Sequence, residues 1–328
     1  MPHTADTVAS ETRSAREPGG HRDAAWRAAP YVAAGVAFGL AFIAVYVVAV
    51  RTEPGQRIEN LALLGAAVRS EADRGLSIGT LAPISVITFA VAMLAAALVG
   101  FARRRLGLGI LVAGLMFGAV FAAEVLKEVL DRPALVSGPG WLLRNSFPSG
   151  TAAVAAALAI GALIVSPDRL RWVALVFGAV TVGVVAQATQ VAGWHRLSDV
   201  VGSALLVAAI GCFGVGALAA VDFVAPSRVG RVHPRVYTAI LVAALVAFAL
   251  GGLLLALLVV FPLLSSPEGG RRVFLQTAFP LFAAALTGLT VTLFARLIEP
   301  ISLGRRRPPS EPKPPVPPED RPAAVRAP

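Results

Sequence analysis

Of the four histidines in the chain, His3 and His21 lie in a polar N-terminal stretch and His233 in a basic segment, which leaves His195 beside other residues able to do chemistry. Asp199 follows it by four positions. On a helix that spacing places two side chains about 40° apart around the axis, so a carboxylate can orient or charge-stabilise an imidazole. A neutral imidazole near pH 7 is a competent nucleophile toward phosphorus. Upstream, Phe147-Pro148-Ser149-Gly150 opens an Ala-rich apolar run. Ser149 and the free N–H groups of a first helical turn would face an anion held there. The same residues also read as a plain helix start with Ser149 as N-cap. Lys127 is one of only two lysines in a chain whose other basic residues are arginine. Its compact ammonium suits a phosphoryl oxygen, although a lysine at a helix end can also simply snorkel. With Arg132, Arg196, Gly150 and Thr151 nearby in the pattern, these residues describe an anion site with a nucleophile. No metal site is expected, since no second histidine or further acidic pair accompanies His195, and no cofactor is expected.

The elements that must position these groups are apolar helices. Hydrophobic residues make up 56% of the 328, charged ones 15%, and the mean hydropathy is +0.74, which points to a membrane as solvent. A helix needs about 20 apolar residues to cross the hydrocarbon. About eight stretches meet that criterion: 29–50, 81–101, 107–127, 149–166, 171–192, 198–221, 236–262 and 274–297. The first is followed by Arg51-Thr52-Glu53-Pro54 without a small-x-small cleavage pattern and reads as a retained anchor. Cys212 lies inside an apolar run as a small core residue.

The net charge of +10 does not indicate nucleic acid, because the arginines cluster in short segments between apolar runs without interleaved aromatic residues. Such clusters flank membrane spans on the cytoplasmic side. With both termini inside, every inner segment is basic: Arg22 and Arg27, Arg103 to Arg105, Arg169 and Arg171, Arg228, Arg231 and Arg235, and Arg305 to Arg307. The long first outer loop mixes Arg51, Arg57, Arg69 and Arg74 with Glu53, Glu59, Glu71 and Asp73, and reads as an interfacial amphipathic segment. Lys127, Ser149 and His195 then share the extracytoplasmic side of a multi-pass cell-membrane protein. Residues 1–28 read as a disordered cytoplasmic N-terminus, 29–222 as one membrane domain, 223–300 as an additional transmembrane hairpin and 301–328 as a Pro-rich disordered tail.

Three segments, Lys127-Glu128-Val129-Leu130-Asp131-Arg132-Pro133, Phe147-Pro148-Ser149-Gly150-Thr151 and Ala188-Thr189 through His195 to Asp199, resemble the motifs of the type 2 phosphatidic acid phosphatase and vanadium haloperoxidase superfamily. Those motifs read KxxxxxxRP, PSGH and SRxxxxxHxxxD. The resemblance covers about Gln56 to Asp222, and the placement of the motifs among the spans is that of the membrane branch. It implies an all-α fold, a six-helix phosphatase-like bundle to which a C-terminal two-helix hairpin is added. It also implies that His195 attacks the phosphoryl group and forms a phosphohistidine that water cleaves, with Asp199 holding the imidazole. Lys127, Arg132, Ser149 and Gly150 would bind phosphate.

The chain departs from the pattern in three places. Thr151 stands where the family has its proton-donating histidine, and threonine is no acid near neutral pH. Ala188 and Thr189 replace the Ser-Arg pair, so one guanidinium clamp is missing, and Arg196 is the nearest substitute. Arg132-Pro133 comes two residues early, the family position falling on Ala134. The expected reaction is hydrolysis of a lipid phosphate or diphosphate in the outer leaflet, with vanadate as an inhibitor, and a diphosphate is favoured because its leaving group needs protonation less than an alkoxide. The alternative is a catalytically impaired relative that binds lipid phosphates or scaffolds envelope proteins. A small transporter would show broken or ionisable segments at the bilayer midplane, and Pro262 and Pro280 are the nearest to that. The expected partners are membrane lipids and an amphiphilic phosphate substrate; the chain offers nothing that selects a protein partner.

Overall fold

A computed structural model of the chain describes residues 19–67, 69–84, 86–227, 234–260 and 269–304. Eleven α-helices, a π-helical turn at Tyr46–Val50 and a two-stranded ribbon account for most of them. The helices are α1 (Gly19–Val45), α2 (Glu53–Ala67), α3 (Glu71–Leu81), α4 (Val86–Ala102), α5 (Leu106–Val129), α6 (Gly140–Leu143), α7 (Gly150–Val165), α8 (Arg171–Val191), α9 (Leu197–Ala220), α10 (Pro234–Val260) and α11 (Gly269–Ile298). Six apolar stretches are long enough to cross a membrane: Ala24–Val50, Leu106–Val129, Asp168–Val191, Leu197–Ala220, Pro234–Gly251 and Thr277–Ile298. Ile87–Ala102 and Gly150–Val165 are apolar but shorter. At 1.5 Å per residue α7 is about 24 Å long, less than the roughly 30 Å of hydrocarbon.

Why α7 is apolar all round follows from its position. It packs against α4, α5, α8, α9 and α11, and Ala152, Ala153, Ala155, Ala156, Ala157 and Ile160 are all buried. Small residues let backbones approach closely, which matters where no hydrophobic driving force separates helix from lipid. Helix α9 is likewise enclosed, by α1, α5, α7 and α11. The outer helices instead turn Leu40, Phe101, Phe117, Phe177 and Leu253 outward. A soluble protein would not expose a belt of this size.

At one end of the bundle the strands β1 (Val224–Pro226) and β2 (Ile301–Leu303) pair antiparallel, Val224 opposite Leu303. Arginines tie this end together. Arg171 Nη1 donates to Ile298 O (2.8 Å) and to Ile301 O, Arg105 donates to Leu303 O, Arg103 donates to Val165 O, and Arg27 pairs with Asp222 at 3.1 Å. Buried carbonyls at helix ends need donors, and a guanidinium supplies several in a fixed fork.

Several boundaries differ from the sequence reading. Helix α1 begins at Gly19, so residues 19–28 are helical, while residues 1–18 lie outside the described residues. The tail read from 301 starts with β2, and residues 305–328 lie outside the described residues. Helix α11 is built into the bundle rather than laid beside it. It packs against α2, α7, α8, α9 and α10, with Thr287, Val291, Phe294 and Ile298 buried. The first long loop, read as an interfacial segment, holds α2 and α3. Gln56, Glu59 and Asn60 of α2 are buried, because the face that α2 turns to the bundle is polar.

Candidate active site

The ends of α5, α7, α8 and α9 opposite the arginine cluster carry all the sequence-derived candidates. Helix α8 stops at Val191, and Gly193 adopts φ +75°, the left-handed conformation that closes a helix C-terminus. Trp194 N then donates back to Thr189 O at 2.9 Å. This turn puts His195 before α9, not on it. The helical-face argument for His195 and Asp199 therefore does not apply; a helix start brings them together instead. Asp199 sits in the first turn of α9, and its Oδ2 accepts from Arg196 N at 2.9 Å, as a carboxylate at a helix N-terminus does.

The same oxygen accepts from Ser146 Oγ at 2.7 Å and lies 3.4 Å from His195 Nδ1. A carboxylate only accepts, so the contact favours the tautomer protonated at Nδ1 and leaves Nε2 with its lone pair. His195 is slightly accessible, its side chain 14% exposed, whereas Asp199 is fully buried. Arg196 braces the pair. Its Nη1 donates to Ser146 Oγ (2.8 Å), its Nε to Asn60 Oδ1 (3.1 Å) and its Nη2 to Leu142 O. Arg132 reaches the same Asn60 oxygen at 3.3 Å. Burial, followed by the neighbouring Arg196 charge, holds the Arg132 guanidinium below its usual pKa.

The Pro-Ser-Gly segment joins this network through its backbone. Phe147 and Pro148 are linked by a cis peptide bond, Ser149 N donates to Asp199 O at 3.0 Å, and Ser203 Oγ donates to Ser149 O at 2.7 Å. Ser149 Oγ accepts from Ala152 N at 3.2 Å, so the hydroxyl is the N-cap of α7. Asn145 ties α5 to the segment. Its Nδ2 donates to Lys127 O and Leu130 O, both at 2.8 Å.

Lys127 pairs with Glu124 at 2.8 Å. A Cβ on Gly150 would fall 1.9 Å from Glu124 Oε1 and 3.5 Å from Lys127 Nζ, so a carboxylate rests against the N-terminus of α7 beside the ammonium. Thr151 is the next residue of α7 and half-buried. Thr189 is fully buried, its hydroxyl donating to Ala186 O at 3.0 Å, and it presents nothing to an anion.

His195 borders a cavity of about 10 Å³ with Glu59, Arg69, Gln190, Arg196, Leu197 and Phe279, among others. That volume takes about one water. Glu59 lines the same cavity and is held at the start of α9, accepting from Ser198 N at 2.8 Å and from Ser198 Oγ at 2.9 Å. Burial, then the nearby Asp199 charge, pushes its carboxyl up to about 7 against the pull of Ser198 and Arg196.

His195, Asp199, Arg196, Ser149 and Arg132 thus belong to one hydrogen-bonded cluster, while Lys127 and Gly150 meet at Glu124 and do not line the His195 cavity. Sequence reasoning missed Ser146, Asn60, Glu59 and Glu124. Glu59 and Asn60 had one available signal, since adjacent polar residues stand where a purely amphipathic helix would place apolar ones. Among the described residues no three His, Cys, Asp or Glu side chains converge on a metal site. Comparison with protein-family profiles, with curated proteins and with solved structures finds no match to this chain.

Proposed function

We propose that the chain is an integral-membrane phosphatase of the type 2 phosphatidic acid phosphatase class that hydrolyses a lipid phosphate or diphosphate through a phosphohistidine on His195. The observation that supports it most is the His195–Asp199 pair, held by Ser146 and Arg196 and joined to the Ser149 backbone at the start of α7. Three stretches far apart in sequence meet there. Asp199 directs His195 Nδ1 inward, so Nε2 is the nucleophilic atom. Arg69 and Arg196 border the same cavity as His195, and on this reading their charge would offset that of phosphoryl oxygens held beside His195, the dominant task in phosphoryl transfer.

On this reading the chain crosses the cell membrane about eight times with both termini inside. The arginine-rich end is then cytoplasmic and the His195 end extracytoplasmic, in keeping with the positive-inside rule. The substrate enters from the outer leaflet, and the reaction needs no metal or cofactor.

A second reading, a lipid-phosphate binder or envelope scaffold without turnover, draws support from Glu124, whose carboxylate already neighbours Lys127 and the α7 N-terminus. Phosphate release from lipid mono- and diphosphates by the detergent-solubilised protein separates the two. Hydrolysis is expected to vanish in His195→Ala; lipid binding without any His195-dependent release would establish the second reading.

A further inference from the structure

Glu59 is 5% exposed, and both of its oxygens are held by one residue, through Ser198 N and Ser198 Oγ. It comes from α2, an element outside the motifs that carry the phosphatase reading. We propose that Glu59 is the proton-transfer group of the His195 site, exchanging protons with the reacting oxygens through the water-sized cavity that both side chains line. The inference rests on the phosphatase reading. It answers the question that Thr151 poses, since threonine cannot protonate a leaving group.

The surroundings allow Glu59 both protonation states. The Ser198 hydroxyl donates to the ionised carboxylate and, turned about its C–O bond, accepts from the protonated acid. The charged groups facing Glu59 are Asp199 and Arg196 from the start of α9 and Arg132 from the segment after α5, with His195 and Arg69 lining the same cavity. Phe279 and Pro280 of α11 close the same space and contribute no charge. Burial and Asp199 bring the carboxyl to about 7, where an acid–base group works best at neutral pH.

His195 Nε2 attacks phosphorus as the bond to the leaving oxygen breaks, and that oxygen takes the proton of Glu59 through the intervening water. Water then attacks the phosphohistidine and the P–N bond breaks. The proton lost by the attacking water returns to Glu59, phosphate departs, and the enzyme is restored.

The test is the pH profile of kcat/KM for a lipid monophosphate, measured with the wild type, Glu59→Gln and Ser198→Ala. Protonated Glu59 is the acid for the first step, so wild-type kcat/KM is expected to fall as pH rises through about 7. Glu59→Gln is expected to lose that limb and about a hundredfold in rate, and to lose much less with a phenyl phosphate whose leaving group needs no proton. Ser198→Ala removes a hydrogen bond that favours the ionised form and is expected to move the limb to higher pH, which decides the matter should Glu59→Gln fail to fold. An unchanged limb in Glu59→Gln, or in Ser198→Ala, overturns the role of Glu59 while leaving the phosphatase reading intact. Absence of His195-dependent release by the wild type overturns both.

Discussion

The carboxylate of Glu124 pairs with Lys127 at 2.8 Å and fills the space that a side chain on Gly150 would need. One internal anion thus pairs with the ammonium and lies against the start of α7, the two features that make this end of α5 and α7 attractive to phosphate. Any phosphate arriving there must displace it.

Glu124→Gln is therefore expected to strengthen binding of lipid phosphate. Removal of the exposed competing carboxylate beside Lys127 changes affinity by roughly 0.5–1 kcal/mol, which is a few-fold in Kd or KM. Lys127→Ala on top of Glu124→Gln should abolish the gain. Titration of both variants with vesicles carrying phosphatidic acid checks it, and equal affinity of Glu124→Gln and the wild type would remove Lys127 and Gly150 from the phosphate site.

Arg196 reaches Asn60, Ser146 and Leu142 with three different nitrogens and is 4% exposed. A lysine can satisfy at most part of that set, because its ammonium is a single point at the end of a flexible stem. Arg196→Lys is expected to cost on the order of 3 kcal/mol of stability through the acceptors left buried without donors. It should lower kcat as well, since Ser146 also orients Asp199. Thermal unfolding and phosphate release measured on the same preparation check both effects; a variant with wild-type Tm would contradict the brace.

Much of the helical framework was legible in the sequence because apolar length is set by the membrane: each of the eight stretches marked from composition overlaps a helix, although 81–101 takes in the end of α3 and a turn before α4, and among the described residues six apolar stretches are long enough to span. The convergence of Lys127, Ser149 and His195 at one end followed from counting those stretches. What was not legible is local and polar. His195 and Asp199 have a helical spacing, yet His195 lies in the turn before α9 and the pair is made by a helix start. The burial of Gln56, Glu59 and Asn60 was hidden for a similar reason. A polar helix face reads as solvent-facing unless the partner it binds is known, here Ser198, Arg196 and the carbonyls of Val50 and Pro133. The place of α11 against α2 and α9 was equally hidden, since lipid-facing and buried apolar surfaces share one composition.

Glu59 also makes stability depend on pH, in a direction opposite to that of an ordinary salt-bridged carboxylate. Its folded pKa is raised from 4.5 to about 7, so the folded state holds a proton that the unfolded chain releases. Below about 4.5 both states are protonated and the group contributes nothing to pH dependence. As pH climbs from 4.5 through 7 the folded protein loses stability, by about 3 kcal/mol in all, and above 7 the loss is complete. Glu59→Gln keeps the shape and removes the charge. Its Tm is expected to exceed that of the wild type at pH 8 and to meet it at pH 4.5, where the protonated acid is also neutral and, like the amide, accepts from Ser198 N and donates to the turned Ser198 hydroxyl. Differential scanning of the two proteins in detergent at those pH values checks the convergence. Parallel Tm curves would mean that Glu59 keeps one protonation state across the range, and proton exchange at the His195 cavity would then have to come from another group.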